Sequence, residues 1–259
     1  MHFSPDGSHF LMYSGLKVGI WNSKGDLQSA SISHKDQILD ALFTPDCQHI
    51  LTLSRDSLLS EWTLDGKLVR PIVDNERKLT VEFSPDGKTL VTGSSDGLVS
   101  FIDYKSGKIL GGSRGEYDDY IQYAHYFPDG KKVLISDAFN QSTIISPPDG
   151  KTLKQGLFGS KYATVKFLNN GNNLLVMSSD AIGLWTADNR RITTFLQINE
   201  RSEKPTLSTA ISKDNKRIFI AFNNGTARQY LTPEGIADWM KQHPDMRFKL
   251  VEKERYAIQ

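Results

Sequence analysis

A short turn motif recurs about every forty residues along this chain, and this recurrence constrains the fold more than any other feature of the sequence. The six copies begin at Phe3 (FSPDG), Phe43 (FTPDC), Phe83 (FSPDG), Tyr126 (YFPDG), Phe167 (FLNNG) and Ile211 (ISKDN). A period of this length is typical of repeat architectures, in which each unit buries its apolar surface by stacking on its neighbours.

A second position repeats in step with the first, 18 or 19 residues further along in every copy. Half of these positions hold tryptophan, and the others hold isoleucine or tyrosine. The residues are Trp21, Trp62, Ile102, Ile145, Trp185 and Tyr230. Because two positions keep one offset through all six copies, the repeat is interpreted as a structural unit rather than as one turn that recurs by chance.

Within one copy, the pattern predicts a meander of four short strands. In the third copy, Leu79, Val81 and Phe83 alternate with polar residues, which is typical of a strand with one buried face. Turns that contain Gly separate the strands. The predicted strands cover residues 79–83, 89–94, 98–103 and about 108–111. Such a meander is too short to bury its faces alone, so neighbouring copies must pack against it.

These repeats resemble those of the WD-repeat β-propeller family over residues 1–231. The resemblance rests on the Pro-Asp-Gly turns, on the alternating strands and on Trp21, Trp62 and Trp185 at the family's tryptophan position. The aspartate that follows this tryptophan survives only as Asp103. The resemblance implies an all-β fold, a β-propeller of about six four-stranded repeats whose first and last copies are incomplete. A six-bladed TolB-like propeller, which also uses SPDG turns, is the alternative within this fold class.

The family often carries a buried hydrogen-bonded group of His, Ser or Thr, Asp and Trp in each blade. By this resemblance, only the second copy retains all four members. They are His34, Thr52, Asp56 and Trp62. Asp96 and Asp180 keep the aspartate alone in other copies. We therefore predict that the four side chains hold the second blade together and that the remaining repeats are degenerate.

Both ends of the chain depart from the repeat. The first copy begins at Met1, so its innermost strand is almost absent, and this beginning is interpreted either as a cut within a repeat or as a seam that another segment completes. In the sixth copy, Thr232 is a suitable N-cap and Pro233 a suitable first helical residue, where a fourth strand is expected. The predicted domains are residues 1–231, the propeller repeats, and residues 232–259, a short α-helical C-terminal tail that packs on the last blade.

This tail resembles the C-terminal end of bacterial multi-domain proteins in which WD arrays follow a signal-transduction ATPase or a caspase-like peptidase domain. A second helix is predicted at roughly residues 245–255. The matching positions are Thr232, Pro233, Ile236, Trp239, Leu250, Tyr256 and Ile258. The resemblance implies that the propeller senses a ligand on behalf of an effector domain upstream in the same polypeptide.

The strings that could carry catalysis fall in turns of the repeat. Residues 93–97 match the G-x-S-x-G pattern of hydrolases, but that pattern needs a strand-to-helix turn and here joins two predicted strands. DGKTL at residues 86–90 and 149–153 lacks the earlier glycine of a phosphate-binding loop. Cys47 and His49 form a pair without further metal ligands. No catalytic, cofactor-binding or metal-binding residue is predicted.

Loops at one end of the predicted meanders offer a surface for a protein partner, because the connection to the next blade shares that end with the second-to-third turn. The most distinctive loop combines tyrosines with carboxylates, which supply aromatic contact area and charge. A phenylalanine in a nearby turn has no local structural role. The predicted partner surface consists of Arg55, Tyr117, Asp118, Asp119, Tyr120, Phe139 and Asn140.

Charge and cysteine content restrict the remaining function classes. Lys and Arg total 31 against 30 Asp and Glu, a net charge of +1, so neither a nucleic-acid nor a membrane partner is predicted. The single cysteine, Cys47, excludes an internal disulfide and favours a cytoplasmic location.

The sequence therefore predicts a protein-interaction scaffold or sensor propeller without catalysis, the C-terminal part of a larger bacterial signalling or defence protein. Its partner would be another protein or upstream domains of the same polypeptide. The alternative is a propeller enzyme, either lactonase-like or a TolB/peptidase-associated six-bladed domain. Such an enzyme needs a reactive cluster on the innermost strands, where Asp40, Glu82, His125 and Lys166 form no evident ligand set.

Overall fold

The repeats of the sequence correspond to separate antiparallel sheets in the computed structural model of the chain. The chain divides into two units, Met1–Leu157 and Phe158–Gln259. The structure describes residues 2–56, 59–73, 78–114, 120–137, 142–157, 164–168, 171–177, 181–197, 208–222 and 226–242.

Within its described residues, the first unit contains four four-stranded sheets, in each of which every strand pairs with the next along the chain. The first sheet comprises β1 (His2–Phe3), β2 (His9–Ser14), β3 (Lys17–Asn22) and β4 (Leu27–Ser33). The second comprises β5 (Ile38–Phe43), β6 (His49–Ser54), β7 (Leu59–Thr63) and β8 (Leu68–Val73). The third comprises β9 (Lys78–Phe83), β10 (Thr89–Ser94), β11 (Leu98–Asp103) and β12 (Ile109–Arg114). The fourth comprises β13 (Ile121–Tyr126), β14 (Val133–Asp137), β15 (Ser142–Ser146) and β16 (Lys151–Leu157).

The described residues of the second unit form a four-stranded and a three-stranded sheet. The first of these comprises β17 (Thr164–Leu168), β18 (Asn173–Met177), β19 (Ala181–Thr186) and β20 (Arg191–Gln197). The other comprises β21 (Ser208–Ile211), β22 (Arg217–Ala221) and β23 (Ala227–Leu231). A helix, α1 (Pro233–Gln242), follows β23 where a fourth strand would stand. In the described ranges, no helix is both long enough and apolar enough to cross a bilayer.

The predicted meander is confirmed in the third repeat, although its last strand is longer than expected. The pattern ends this strand near Gly111, whereas β12 continues to Arg114. Two consecutive glycines let neighbouring backbone approach this strand closely on both of its sides. A Cβ atom on Gly112 would overlap the carbonyl oxygen of Val99, and a Cβ atom on Gly111 would overlap the carbonyl oxygen of Pro148. Gly usually weakens a strand, which is why the sequence pattern ended it too early.

Four copies of the repeated turn share one hydrogen-bond arrangement. Ser84 Oγ donates to Asp86 Oδ1 at 2.7 Å, and the same carboxylate oxygen accepts the backbone N–H of Lys88 at 3.1 Å. Equivalent pairs are Ser4–Asp6, Thr44–Asp46 and Ser212–Asp214. Gly87 adopts a φ of 72°, and Cys47 adopts a φ of 59° at the same turn position of the second repeat. The repeated sequence motif is thus a repeated turn whose last residue favours glycine.

Neighbouring sheets of a unit bury their apolar side chains against each other. The first and second sheets share Leu11, Val18, Ile20, Ile32, Ile38, Ala41, Phe43 and Ile50. The third and fourth sheets share Val91, Val99, Phe101, Ile121, Ala124, Tyr126, Val133, Ile135 and Ile145. In the second unit, β18 and β19 share a cluster with β22 that includes Leu175, Leu184, Ile218 and Ile220. Each sheet therefore depends on a neighbour for burial, as the short meander predicts.

The start of α1 is fixed on the turn between β21 and β22. The backbone N–H of Gly235 donates to Thr232 Oγ1 at 3.2 Å, and that of Thr232 donates to the Lys216 carbonyl at 3.0 Å. Lys216 Nζ also pairs with Asp238 of the helix at 2.5 Å. The predicted helix after Thr232 is confirmed. The second predicted helix, near residues 245–255, lies outside the described residues, and the separate tail domain stays a prediction.

Candidate functional site

The four members of the predicted His-Thr-Asp-Trp group, here called the His34 group, meet in the second sheet. Trp62 Nε1 donates to Thr52 Oγ1 at 2.8 Å, and His34 Nε2 lies 2.7 Å from the same oxygen. His34 Nδ1 lies 3.6 Å from Asp56 Oδ2. The imidazole also meets the indole edge-on, with 5.5 Å between ring centroids. The group links the segment before β5 to β6, to the β6–β7 turn and to β7.

Burial keeps the His34 imidazole neutral. It lowers the pKa of His34, and the Asp56 carboxylate offsets only part of this effect. Because Thr52 Oγ1 accepts the indole N–H, its own hydroxyl hydrogen is available to donate to Nε2 of a neutral ring. This assignment puts the imidazole proton on Nδ1, facing Asp56. The contacts are those of a structural group, and its contribution to stability stays a prediction for mutagenesis.

Two of the seven residues of the predicted partner surface lie in the described ranges. Arg55 is exposed in the β6–β7 turn, where its backbone N–H donates to the Gln37 carbonyl at 2.8 Å. Tyr120, directly before β13, is 40% exposed. In a meander, the second-to-third turn and the exit of the fourth strand share one end of the sheet, here called the loop end, opposite the Pro-Asp-Gly turns. Tyr117, Asp118, Asp119, Phe139 and Asn140 lie outside the described residues.

An ion pair that the sequence did not predict lies at the loop end of the third sheet. Nη2 of Arg114, the last residue of β12, is 3.2 Å from Oδ2 of Asp96 in the β10–β11 turn. The two side chains are 53% and 56% exposed, so water screens their attraction. The sequence signal for such a pair has two parts. A basic residue ends the fourth strand of a repeat, and an acidic residue lies in the turn between the second and third strands of the same repeat.

Four ionisable side chains lie on the first strands of the four sheets of the first unit. They pair two by two: His2 Nε2 is 3.6 Å from Asp40 Oδ1, and His125 Nδ1 is 3.2 Å from Glu82 Oε2. Asp40 Oδ1 also accepts the Tyr13 hydroxyl at 3.2 Å. The sequence placed Asp40, Glu82 and His125 on innermost strands but did not predict their pairing, which depends on side chains about one repeat apart.

Burial and pairing shift the pKa values of this inner-strand row in different directions. Burial raises the pKa of Asp40 and lowers that of His2. For His125, burial also acts to lower the pKa, but the hydrogen bond and charge of Glu82 outweigh it and raise the pKa. Burial, together with the charge of Asp40, raises the pKa of Tyr13 to about 12. Each carboxylate of the row thus already has a hydrogen-bonding partner.

The chemistry available to the row is limited. In the part of the chain that the structure describes, no three His, Cys, Asp or Glu side chains lie close enough to hold one metal ion. Cys47 and His49 likewise have no third metal ligand beside them among the described residues. In the second unit, Lys166 of β17 donates its Nζ to the Thr209 carbonyl, and burial lowers its pKa.

A buried carboxylate that the sequence did not predict joins the second and third sheets. Glu61 on β7 is 4% exposed and accepts Arg70 Nε at 2.7 Å and the Tyr104 hydroxyl at 2.6 Å. Arg70 also donates to the carbonyls of Tyr104 at 2.6 Å and Lys105 at 2.8 Å. The only signal in the sequence is a glutamate directly before Trp62 on strand β7.

The hydrolase-like string at residues 93–97 lies in the β10–β11 turn. Ser94 ends β10, donates its hydroxyl to Asp96 and accepts the backbone N–H of Leu98 at 3.0 Å. Gly97 takes a φ of 78° in this strand-to-strand turn. Ser95, which stands at the nucleophile position of the string, lies within this strand-to-strand turn, so the strand-to-helix geometry that a nucleophile needs is not formed at these residues.

Comparison with known proteins gives a family match, and the curated proteins that match include two from fungi. The model for "WD domain, G-beta repeat" matches residues 74–103. The chain is 26% identical over 162 residues to a Neurospora crassa protein named "Periodic tryptophan protein 2 homolog", which covers 54% of this chain and 18% of that protein. It is 28% identical over 81 residues to an uncharacterized WD repeat-containing protein of Schizosaccharomyces pombe, covering 30% of this chain and 20% of that protein. The chain thus spans about a fifth of the length of these relatives.

Among solved structures, the chain is similar to the C-terminal WD40 domain of Sif2. The TM-score is 0.72, and the match covers 91% of this chain and 67% of the other. At 16% sequence identity, this likeness concerns the fold alone.

Proposed function

The chain is a WD-repeat β-propeller, and from this premise we propose that it is a protein-interaction scaffold, which binds a protein partner and catalyses no reaction. The observation that carries the proposal is the loop end of the sheets, where Arg55 and Tyr120 are exposed. The Asp96–Arg114 pair adds charges of both signs there. Aromatic side chains supply contact area, and surface charge steers and orients a partner.

The pairing of the inner-strand row also supports a scaffold. The side chains that a propeller enzyme would use there contact one another: His2 lies 3.6 Å from Asp40, and His125 hydrogen-bonds with Glu82. A general base or metal ligand needs an accessible lone pair, and these contacts from neighbouring sheets already engage the carboxylates.

Affinity capture with matched variants tests the proposal. The tagged chain is compared with Tyr120→Ala and Tyr117→Ala, and each captured protein is purified and its Kd remeasured. We expect these substitutions to weaken binding about tenfold while leaving the melting temperature unchanged. Leu27→Ala removes a side chain that is 51% exposed, located outside the loop end, and should leave binding intact. Equal binding by all variants would contradict the proposed surface.

A finer proposal is that the partner includes upstream domains of the same polypeptide, in a larger bacterial signalling or defence protein. Its support is the tail resemblance at Thr232, Pro233, Ile236 and Trp239. Both curated relatives described above are fungal, so they lend the bacterial context no support. The reading frame upstream of the Met1 codon tests it, because an ATPase or peptidase domain is expected there. A cytoplasmic location, proposed from the single cysteine, is tested by cell fractionation.

The alternative of a propeller enzyme makes a different prediction for the inner-strand row. It predicts turnover in a hydrolase panel, or tightly held metal, that is lost in Asp40→Asn and Glu82→Gln. The scaffold proposal predicts no turnover in either the wild type or these variants. Elemental analysis of the purified chain and the same panel therefore separate the two functions.

A further inference from the structure

A cleft of about 340 Å³ lies between the third and fourth sheets at the end that carries the Pro-Asp-Gly turns. It is thus at the opposite end of these sheets from the proposed partner surface. Its apolar walls are formed by Pro85, Leu110, Pro147 and Pro148. The volume suits one long side chain or a small molecule.

Tyr126 is one of the residues that line this cleft, and its side chain ends in a hydroxyl group. The residue is 5% exposed, and its hydroxyl is buried without a hydrogen-bond partner within the described part of the chain. Leaving such a group unpaired costs stability, and a phenylalanine would fill the same space without that cost. Burial, with smaller contributions from Glu82 and Asp86, raises the pKa of the phenol, so the hydroxyl keeps its proton. Its oxygen therefore keeps an unused acceptor, which a ligand in the cleft reaches only if the side chains that cover it move aside.

Two carboxylates, Asp86 and Asp129, also line the cleft. The hydrogen bond from Ser84 lowers the pKa of Asp86, which keeps it ionised at neutral pH. Its Oδ1 is occupied by its own turn, and its Oδ2 has an exposed ion-pair partner in Lys88 at 3.9 Å. Asp129 Oδ1 likewise accepts the backbone N–H of Lys131 at 2.9 Å. Each carboxylate thus uses one oxygen within its turn, so the second oxygen is the one that faces fewer protein donors.

This combination selects the chemistry of a ligand. Two carboxylates exclude an anion, and the described residues assemble no group of three acidic or histidine side chains for a metal ion. Proline and leucine walls favour an aliphatic chain. Because each carboxylate already accepts hydrogen bonds at one oxygen, fewer lone pairs remain for a bidentate pair with a planar guanidinium, whereas a compact ammonium needs a single oxygen from each group.

We propose that this cleft binds an alkylammonium group, the side chain of a lysine presented by a partner protein. The aliphatic stem lies along Pro85, Leu110 and Pro148, and the ammonium donates to Asp86, Asp129 and the Tyr126 hydroxyl oxygen. The inference goes beyond the scaffold function, because it concerns the other end of the sheets and does not depend on the loop-end surface.

Titration of the isotope-labelled chain, followed by amide NMR, tests the proposal. The probes are n-pentylammonium chloride, its neutral analogue 1-pentanol, and the peptides acetyl-Gly-Lys-Gly-amide and acetyl-Gly-Arg-Gly-amide. Pentylammonium and the lysine peptide are expected to shift the signals of Asp86, Tyr126 and Gly130. Pentanol and the arginine peptide are expected to bind about tenfold more weakly, the ratio for losing one hydrogen bond to a charged group. The proposal would be overturned if pentanol bound as tightly as pentylammonium, or if no probe shifted any signal. If free pentylammonium bound more tightly than the lysine peptide, the assignment of the ligand to a protein partner would be overturned.

Three variants separate binding from folding. Tyr126→Phe should raise the Kd of pentylammonium about tenfold while the melting temperature stays the same or rises, because an unpaired buried hydroxyl is removed. Asp129→Asn should weaken binding to a similar degree. Asp149→Asn removes the same charge from a neighbouring turn, where Asp149 pairs with Ser146 at 2.6 Å, and should not change the Kd. Unchanged binding in Tyr126→Phe would refute the role given to the hydroxyl.

Discussion

Arg70 Nε donates a hydrogen bond to Glu61 Oε2 across 2.7 Å, joining two adjacent strands of the second sheet. The other oxygen of the same carboxylate accepts the hydroxyl of Tyr104, which follows β11 of the third sheet. The Arg70 guanidinium also lies 5.3 Å from the centre of the Tyr104 ring. One carboxylate thus connects neighbouring repeats through polar contacts, in addition to the apolar layer between them.

Replacing Glu61 with alanine is therefore expected to lower the free energy of unfolding by about 2–4 kcal/mol, because a guanidinium and a phenol lose their buried acceptor. Urea denaturation monitored by tryptophan fluorescence measures the change. Asp65→Ala breaks the exposed ion pair with Lys67 and should leave the midpoint unchanged. If the two variants lose the same stability, Glu61 does not have the structural role described here.

The His34 group predicts a difference between two buried threonines. Thr52→Val leaves the Trp62 indole N–H and the His34 ring without their shared partner and should cost about 1–3 kcal/mol. Thr92 is the matched control, since it is equally buried at the same position of the next repeat. Within the described residues, its hydroxyl makes only a long contact of 3.5 Å with the Ser100 carbonyl, so Thr92→Val should cost clearly less. Equal losses in thermal denaturation would contradict the group's contribution.

Two histidines are expected to titrate in opposite directions from the ordinary value of 6.5. The His125 pKa is raised, so its pairing with Glu82 stabilises the fold fully below pH 6.5 and this contribution is lost as the pH rises through the raised pKa. The His34 pKa is lowered, so the neutral ring stabilises the fold above pH 6.5 and that contribution is lost as the pH falls towards the lowered pKa.

NMR titration of the histidine ring signals checks both directions. Glu82→Gln should lower the midpoint of His125, because the carboxylate that holds its proton is gone, while the midpoint of His34 stays unchanged. A wild-type midpoint for His125 below that of His34 would reverse the assignment.

Cys47→Gly is expected to stabilise the chain by about 0.5–1 kcal/mol. Cys47 has a φ of 59°, a conformation that costs an L-residue about 1–2 kcal/mol, partly offset by the greater freedom of glycine when unfolded. Asn215→Gly is the control, because Asn215 adopts a similar φ of 58° and asparagine tolerates this conformation better. Thermal denaturation should show a gain for Cys47→Gly and a smaller change for Asn215→Gly.

Local structure was predictable from the sequence where a repeat supplied both alternation and a turn. The strands β10 and β11 begin and end at the predicted residues, since the adjoining Gly-containing turns define both ends. The composition of the His34 group followed from family resemblance. The contacts of Glu61 and of the inner-strand row were not predictable, because Tyr104 and Glu61 are 43 residues apart and meet only when sheets stack. The unpaired Tyr126 hydroxyl was not predictable, because a sequence does not show whether the hydroxyl of a buried tyrosine finds a hydrogen-bond partner.

The two glycines of β12 have a consequence for the cleft beside them. Gly111 lies against the carbonyl oxygen of Pro148, a residue of the cleft wall, so a single methyl group at position 111 would push that wall outward. The width of the cleft is thus controlled by a residue outside its lining. A substitution at Gly111 would therefore change the size of ligand that fits the cleft, while the residues that contact the ligand stay the same.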